Sequence, residues 1–271
     1  MMNNLEKIAS DLRKTVIGMV YKAGSGHPGG SLSAVDIITA LYFNVLKIDP
    51  ENPNYTERDR FILSKGHAAP ILYAALAKRG FFPKEDLSNL RKFHSHLQGH
   101  PDMNKTPGVD MSTGSLGHGL SVGLGMTLSA KLQNRKWSVF VLLGDGEIQE
   151  GEVWEAAMAA SKYRVDNLIA ILDYNRVQLD GPTDEIMPLG DVVAKWKAFG
   201  WHTIETDGHN PNKLAKILRN AKHCRRGLPQ IVIAHTVKGK GVSFMEGKYQ
   251  WHGAHIDENT YQKAMKELEG K

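Results

Sequence analysis

The chain has 271 residues, a formal net charge of +5 and a single cysteine, Cys224. That length can bury a sizeable core, so folding needs no disulfide or metal staple, and the lone thiol fits a reducing cytoplasm. Acids are interspersed with the bases, no apolar run reaches about 18 residues, and "MMNNLEKIASDL" lacks a signal-peptide core, which argues against nucleic-acid binding, a membrane span and a secretory leader.

Leu5, Ile8, Leu12, Val16, Met19 and Val20 recur at helical spacing, which predicts a helix from Leu5 to Ala23 that stops at Gly24. The glycine-rich stretch "GSGHPGGS" follows and is expected to be a loop. "SAVD", Ser33 to Asp36, has the form of a capping box opening a helix that runs to about Val45. After the polar "NPNYTERD", a short strand over Phe61–Leu63 leads into "SKGHA" and an apolar helix ending at Arg79.

"GSLGHGLSVGLGMTLSA", Gly114 to Ala130, carries glycines at 114, 117, 119, 123 and 125. Each glycine inside a helix costs up to about 1 kcal/mol relative to alanine. Either a helix starts only near Leu120 after a glycine loop, or the whole stretch is helical and another backbone packs closely on it. A small-residue surface of this kind suits a subunit interface.

Further strands are predicted at Ser138–Leu143, Leu168–Leu172, Trp201–Glu205 and Ile231–Ala234. Helices separate them at Glu152–Lys162, Val192–Ala198 and Asn212–Ala221. Most of the strands are continuously apolar, as strands buried on both faces must be. The alternation predicts an α/β fold: one parallel sheet with helices on both faces, in a single domain over residues 1–271.

In such sheets ligands lie beyond the carboxyl ends of the strands. Those ends run into Ser64-Lys65-Gly66-His67, Gly144-Asp145-Gly146-Glu147, Asp173-Tyr174-Asn175 and His235-Thr236-Val237-Lys238. Asn175 follows Asp145 by 30 positions, one strand-helix-strand unit, so a right-handed crossover sets the two side by side. A carboxylate and an amide oxygen are hard donors that suit Mg²⁺ or Ca²⁺ rather than zinc. The glycines beside Asp145 let a diphosphate approach the backbone, and a helix beginning near Glu150 offers it amide groups. Either Gly-Asp-Gly or Asp-Tyr-Asn alone reads as a turn; the pair at strand ends reads as a metal-diphosphate site.

At these residues the sequence resembles the thiamine-diphosphate enzymes, and more finely the amino-terminal diphosphate-binding (PP-type) domain of transketolase. "GSGHPGG", "LSKGHA", "GHPD", "TGSLGHG", "GDGEIQEGEVWEA", "DYNRVQLDG" and "WHGA" occur in that family's order over almost the whole chain.

The resemblance implies that Asp145, Asn175 and the Val177 carbonyl bind Mg²⁺, for which Ca²⁺ or Mn²⁺ can substitute. It implies cofactor contacts from His67, Gly114, Leu116, Gly146, Glu150, Asn175 and His252. His27, His67, His100 and His252 are the implied catalytic set, orienting ketose hydroxyls and carrying protons, with His27 and His252 foremost. Imidazole suits that work because its ordinary pKa lies near neutrality. Glu150 and Glu155 match acids near the family's subunit interface.

The resemblance further implies a cytoplasmic transferase of carbohydrate metabolism, of the pentose phosphate pathway type. The chain stops where a full transketolase continues, so the expectation is the amino-terminal subunit of a split enzyme. Its partners are a separate carboxy-terminal transketolase subunit, in a dimer of heterodimers (a heterotetramer), and sugar-phosphate substrates. Alone the chain should bind cofactor weakly. The alternatives are a related thiamine-diphosphate enzyme, such as a specialised sugar-phosphate transketolase or a deoxyxylulose-phosphate-type synthase, or a non-catalytic binding module. His118 stands where the family commonly has glutamine, and His255 where it has proline.

Other features read more plainly. His94, His96 and His100 with Asp102 fit no standard zinc spacing. His202, His209 and His223 are expected at the surface, Cys224 at a helix end, and Trp137, Trp154 and Trp196 in core or interface. "KGKG", Lys238 to Gly241, is either a solvated loop or a flap near the diphosphate.

Overall fold

The computed structural model describes residues 4–270. Among the described residues, five strands form one fully parallel sheet: β1 Arg60–Leu63, β2 Val139–Gly144, β3 Leu168–Tyr174, β4 His202–Asp207 and β5 Gln230–His235, in the order β1-β2-β3-β5-β4. All five predicted strands are present.

The helices are α1 Asn4–Ala23, α2 Pro28–Ser33, α3 Val35–Ala40, α4 Ala69–Arg79, α5 His118–Leu132, α6 Gly151–Lys162, α7 Thr183–Ile186, α8 Val192–Ala198, α9 Pro211–His223 and α10 Glu258–Glu269. The sheet separates two apolar layers. Phe140, Leu142, Ile169, Ile171, Val232 and Ala234 pack with α1, α3, α4 and α9 on one face. Their chain neighbours Val141, Leu143, Ala170, Leu172, Ile231 and Ile233 pack with α5, α6 and α8 on the other. Successive strand residues point to opposite faces, so burial on both requires the unbroken apolar runs seen in the sequence.

Two expectations need correction. The helix expected after Ser33 is α3, from Val35, but a separate short helix, α2, opens before it at Pro28, inside the expected loop, with Pro28 in its first turn and His27 at its N-cap. Proline's missing N–H costs nothing at that position. Ser33 therefore lies at the end of α2 and caps no helix; its hydroxyl donates to the Asp173 carboxylate at 2.6 Å. Asp36 receives Arg13 of α1 instead of closing a capping box. The helical run ends in a π-helical turn over Leu41–Val45.

The glycine-rich stretch takes its first alternative, a loop up to Gly117 and then α5. Its close packing is nevertheless real and is directed at the sheet. A Cβ on Gly119 would stand 2.2 Å from Ser64 Oγ, and one on Gly123 would stand 2.7 Å from a Val141 methyl. Glycine there lets α5 lie directly on β1 and β2.

Candidate functional site

The carboxyl ends of β1, β2, β3 and β5 converge on a cavity of about 300 Å³. Its wall includes Lys65, His67, Leu116, Asp145, Gly146, Glu150, Asn175, Val177, Lys238 and His252. β2 and β3 are direct neighbours, with Gly144 opposite Asp173, so Asp145 and Asn175 leave adjacent strand ends as the crossover argument requires.

Asp145 is buried and joins the two exits. One oxygen accepts from the Gly146 N–H at 2.8 Å, and the other accepts from the Arg176 N–H. Burial first, and the nearby Asp173 carboxylate second, push Asp145 up to about 7; the Arg176 and Gly146 N–H groups and the Lys65 ammonium pull the other way. Asn175 turns its amide oxygen onto the Val177 N–H at 3.0 Å. The Val177 carbonyl accepts from Lys238 Nζ at 2.8 Å. Among the described residues, no three His, Cys, Asp or Glu side chains gather as a metal cage. A divalent ion here would use one carboxylate, one amide oxygen and one carbonyl, a donor set for a hard cation that keeps other oxygens.

The basic wall was only partly legible. Asp173 is fully buried and is the hub: it accepts from Lys65 Nζ, from Ser33 Oγ, from Thr236 Oγ1 and, at 3.2 Å, from Asn175 Nδ2. Burial alone would raise Asp173, but the Lys65 ammonium and these hydrogen bonds outweigh it and hold the carboxyl below its ordinary value. Lys238, in the segment whose sequence left two readings open, is 2% exposed and stands in the cavity wall. It donates to the Val177 carbonyl, to the Gln178 carbonyl at 3.2 Å and to His252 Nδ1 at 2.9 Å, none of them a carboxylate. Burial, then Lys65, lowers it to about 8, against Asp145 and Asp173. A buried ammonium bonded only to neutral groups, above an oxygen-rich corner, fits a diphosphate with its divalent ion.

Glu147 fastens the loops behind this wall. It accepts from Ser64 Oγ, from the Gly117 N–H at 3.0 Å and from the Gly144 N–H at 3.0 Å, tying the exits of β1 and β2 to the start of α5. Neither Asp173 nor Glu147 was singled out from sequence, because most of their partners, Lys65, Ser33, Thr236, Ser64 and Gly117, lie far away along the chain.

Four histidines form a continuous group. The His67 and His252 rings stack with centroids 4.7 Å apart, His27 lies 5.4 Å from His67 and 5.6 Å from His252, and His100 lies 6.4 Å from His27. His67 and His252 line the cavity; His27, His100 and Gly114 lie outside its wall, with Gly114 packed on the His100 ring. The glycines of "HPGG" make this possible. A Cβ on Gly29 would stand 2.6 Å from the Trp251 carbonyl, so only glycine lets the His27 and His252 segments meet backbone to backbone.

All four imidazoles are held below their ordinary value. Burial, then Arg91, lowers His27 to about 4; burial, then Lys238, lowers His252 to about 3; burial, then Lys65, puts His67 well below its ordinary value; burial, then Arg91, lowers His100. An ammonium only donates, so His252 Nδ1 accepts from Lys238 and its proton sits on Nε2.

Other expectations resolve individually. His96 pairs with Asp86 at 3.1 Å, and the His94 ring packs on Phe93. Trp196 is buried against Trp154 and Trp201. Cys224 caps α9. His209 departs from its expected surface position: its side chain is 15% exposed and bonded at both ring nitrogens. Glu150 and Glu155 are both exposed. Among the described residues, no helix is long and apolar enough to cross a membrane.

Comparison with known proteins gives matches over nearly the whole chain. A family model described as "Transketolase, thiamine diphosphate binding domain" matches residues 5–270. A 6-deoxy-6-sulfo-D-fructose transketolase subunit from Clostridium sp. (strain MSTE9) is 46% identical over 98% of this chain and 96% of its own length. An apulose-4-phosphate transketolase subunit from Phocaeicola vulgatus is 43% identical over 97% of this chain and 93% of its own. A crystal structure of Pichia stipitis transketolase in complex with sedoheptulose 7-phosphate superposes with a TM-score of 0.92 at 31% identity, over 98% of this chain and 40% of that one. The chain thus spans well under half of the solved transketolase chain.

Proposed function

This chain belongs to the transketolase family, as its amino-terminal thiamine-diphosphate-binding domain, and from that premise we propose that it is one subunit of a split transketolase. It would transfer a two-carbon ketol unit from an anionic ketose, a sugar phosphate or a close relative, to an aldose phosphate. A separate chain would supply the pyrimidine-binding and carboxy-terminal domains, in a dimer of heterodimers. Support for the split comes from the two bacterial subunits, which this chain spans almost end to end. Those two are named for different ketoses, so the donor is proposed as a class.

The single observation that carries the reading is the joint placement of Asp145, Asn175 and the Val177 carbonyl in one cavity wall with Lys65, Lys238, His67 and His252. The first three would hold Mg²⁺; the lysines, the histidines and the Gly146 backbone would hold the diphosphate, with Gly114, Leu116 and Glu150 alongside. When bound, thiamine diphosphate supplies the nucleophilic carbon and the electron sink for carbon–carbon cleavage.

The chain's own part is binding, orientation and proton transfer. His27, His67, His100 and His252 would hold the ketose hydroxyls. His252 Nε2–H would donate to a substrate oxygen, since its Nδ1 is committed to Lys238. His27 would take up and return the hydroxyl proton. Diphosphate and sugar-phosphate charges would lift these depressed imidazoles towards neutrality, where proton exchange is effective. The lone thiol suits a reducing cytoplasm, and the sugars for which the matched relatives are named suit an enzyme of carbohydrate metabolism.

The reading is tested by calorimetry on the assembled subunits. Asp145→Ala should abolish Mg²⁺-dependent thiamine diphosphate binding. Unchanged binding would sink the metal assignment.

A further inference from the structure

His209 follows the end of β4, and its own N–H is fixed by Asp207 at 2.8 Å. Its Nε2 lies 2.8 Å from the Val237 N–H, in the segment leaving β5. A backbone N–H only donates, so Nε2 carries the lone pair and the ring proton is on Nδ1. That proton points to Asp36 Oδ2, 3.0 Å away. Asp36, 2% exposed on α3, holds Arg13 of α1 through the same oxygen. Arg13 in turn sends its Nε–H to the Lys240 carbonyl at 3.3 Å.

The two residues gripped, Val237 and Lys240, bracket Lys238, whose ammonium lines the diphosphate cavity. Between β5 and the turn at Tyr249–Trp251 the chain has no regular helix or strand of its own to fix that lysine. We infer that His209, set by Asp36 and Arg13, is a positioning residue that holds the Lys238 turn in place for the anionic tail of the cofactor. The inference rests on the thiamine diphosphate reading above and adds to it a residue outside the cavity.

The test is calorimetric titration of thiamine diphosphate with Mg²⁺ into the assembled subunits, with turnover measured in parallel. His209→Ala should weaken cofactor affinity about tenfold, as losses of outer supports do, with turnover returning at saturating cofactor. His209→Gln places an amide oxygen near the Nε2 position and should recover most of the affinity. His209→Asn reaches only the Nδ1 position and should not. Affinity within about twofold of wild type in the alanine variant, or equal affinities for the Gln and Asn variants, would overturn the inference. If the alanine variant does not fold, the Gln and Asn pair decides alone. Absence of cofactor binding in the wild-type assembly would instead overturn the functional reading, and this inference with it.

Discussion

Asp173 offers a quantitative test of how the site is built. Asp173→Ala removes the acceptor for four donors and leaves Lys65, itself 1% exposed, with only the Gly30 carbonyl at 2.8 Å. Breaking a buried ion pair from one side costs about 3–5 kcal/mol, because the remaining charge stays desolvated. At about 2–4 °C per kcal/mol for a chain of this size, the melting temperature should fall by roughly 10 °C. Lys65→Met should cost less, since Asp173 keeps two hydroxyl donors and the Asn175 amide. The double variant Lys65→Met/Asp173→Ala should be more stable than the sum of the single losses by about 2 kcal/mol, because no charge is left unpaired. Reversible urea unfolding of the four proteins gives the cycle. A cost below about 1 kcal/mol for Asp173→Ala, or single losses that add to within about 0.5 kcal/mol, would refute the hub.

Further outcomes follow from single contacts. Gly119→Ala should destabilise the chain by about 1–3 kcal/mol through its clash with Ser64, while Gly125→Ala, with nothing within 4 Å of the added Cβ, should stabilise it by up to about 1 kcal/mol; thermal melts compare them. Glu147→Gln turns an amide NH₂ towards a backbone N–H and should cost about 1–3 kcal/mol in unfolding experiments. His27 and His252 are held below their ordinary 6.5, so their contribution to stability is complete above that pH and drains away as pH falls towards 4. Melts from pH 8 to pH 4 should show that decline, and His27→Asn/His252→Asn should flatten it.

The sheet and the adjacency of Asp145 and Asn175 were legible because both follow from local patterns. Unbroken apolar runs mark strands buried on two faces, and each run names the residues it delivers to the sheet edge. Asp145 and Asn175 are linked by one crossover, so their adjacency needed no further information. The supports were hidden because they are non-local. Ser33 looked like a cap since its partner, Asp173, is 140 positions away. His209 looked like surface because what buries it comes from Asp36 and Val237. Lys238 was ambiguous for the same reason: nothing beside it in sequence predicts that its neighbours would be carbonyls and an imidazole. The glycines of α5 were recognised as close-packing residues, but only the three-dimensional arrangement shows that the sheet occupies the space they leave.

The most direct measurement is reconstitution. The purified chain is mixed with the chain carrying the pyrimidine-binding and carboxy-terminal domains, Mg²⁺ and thiamine diphosphate, and two-carbon transfer between ketose and aldose phosphates is followed. The account predicts turnover from the mixture, none from either chain alone, and loss of turnover with Asp145→Ala. Full activity from either chain alone, or a mixture that binds the cofactor yet transfers no ketol unit to any aldose phosphate, would contradict it.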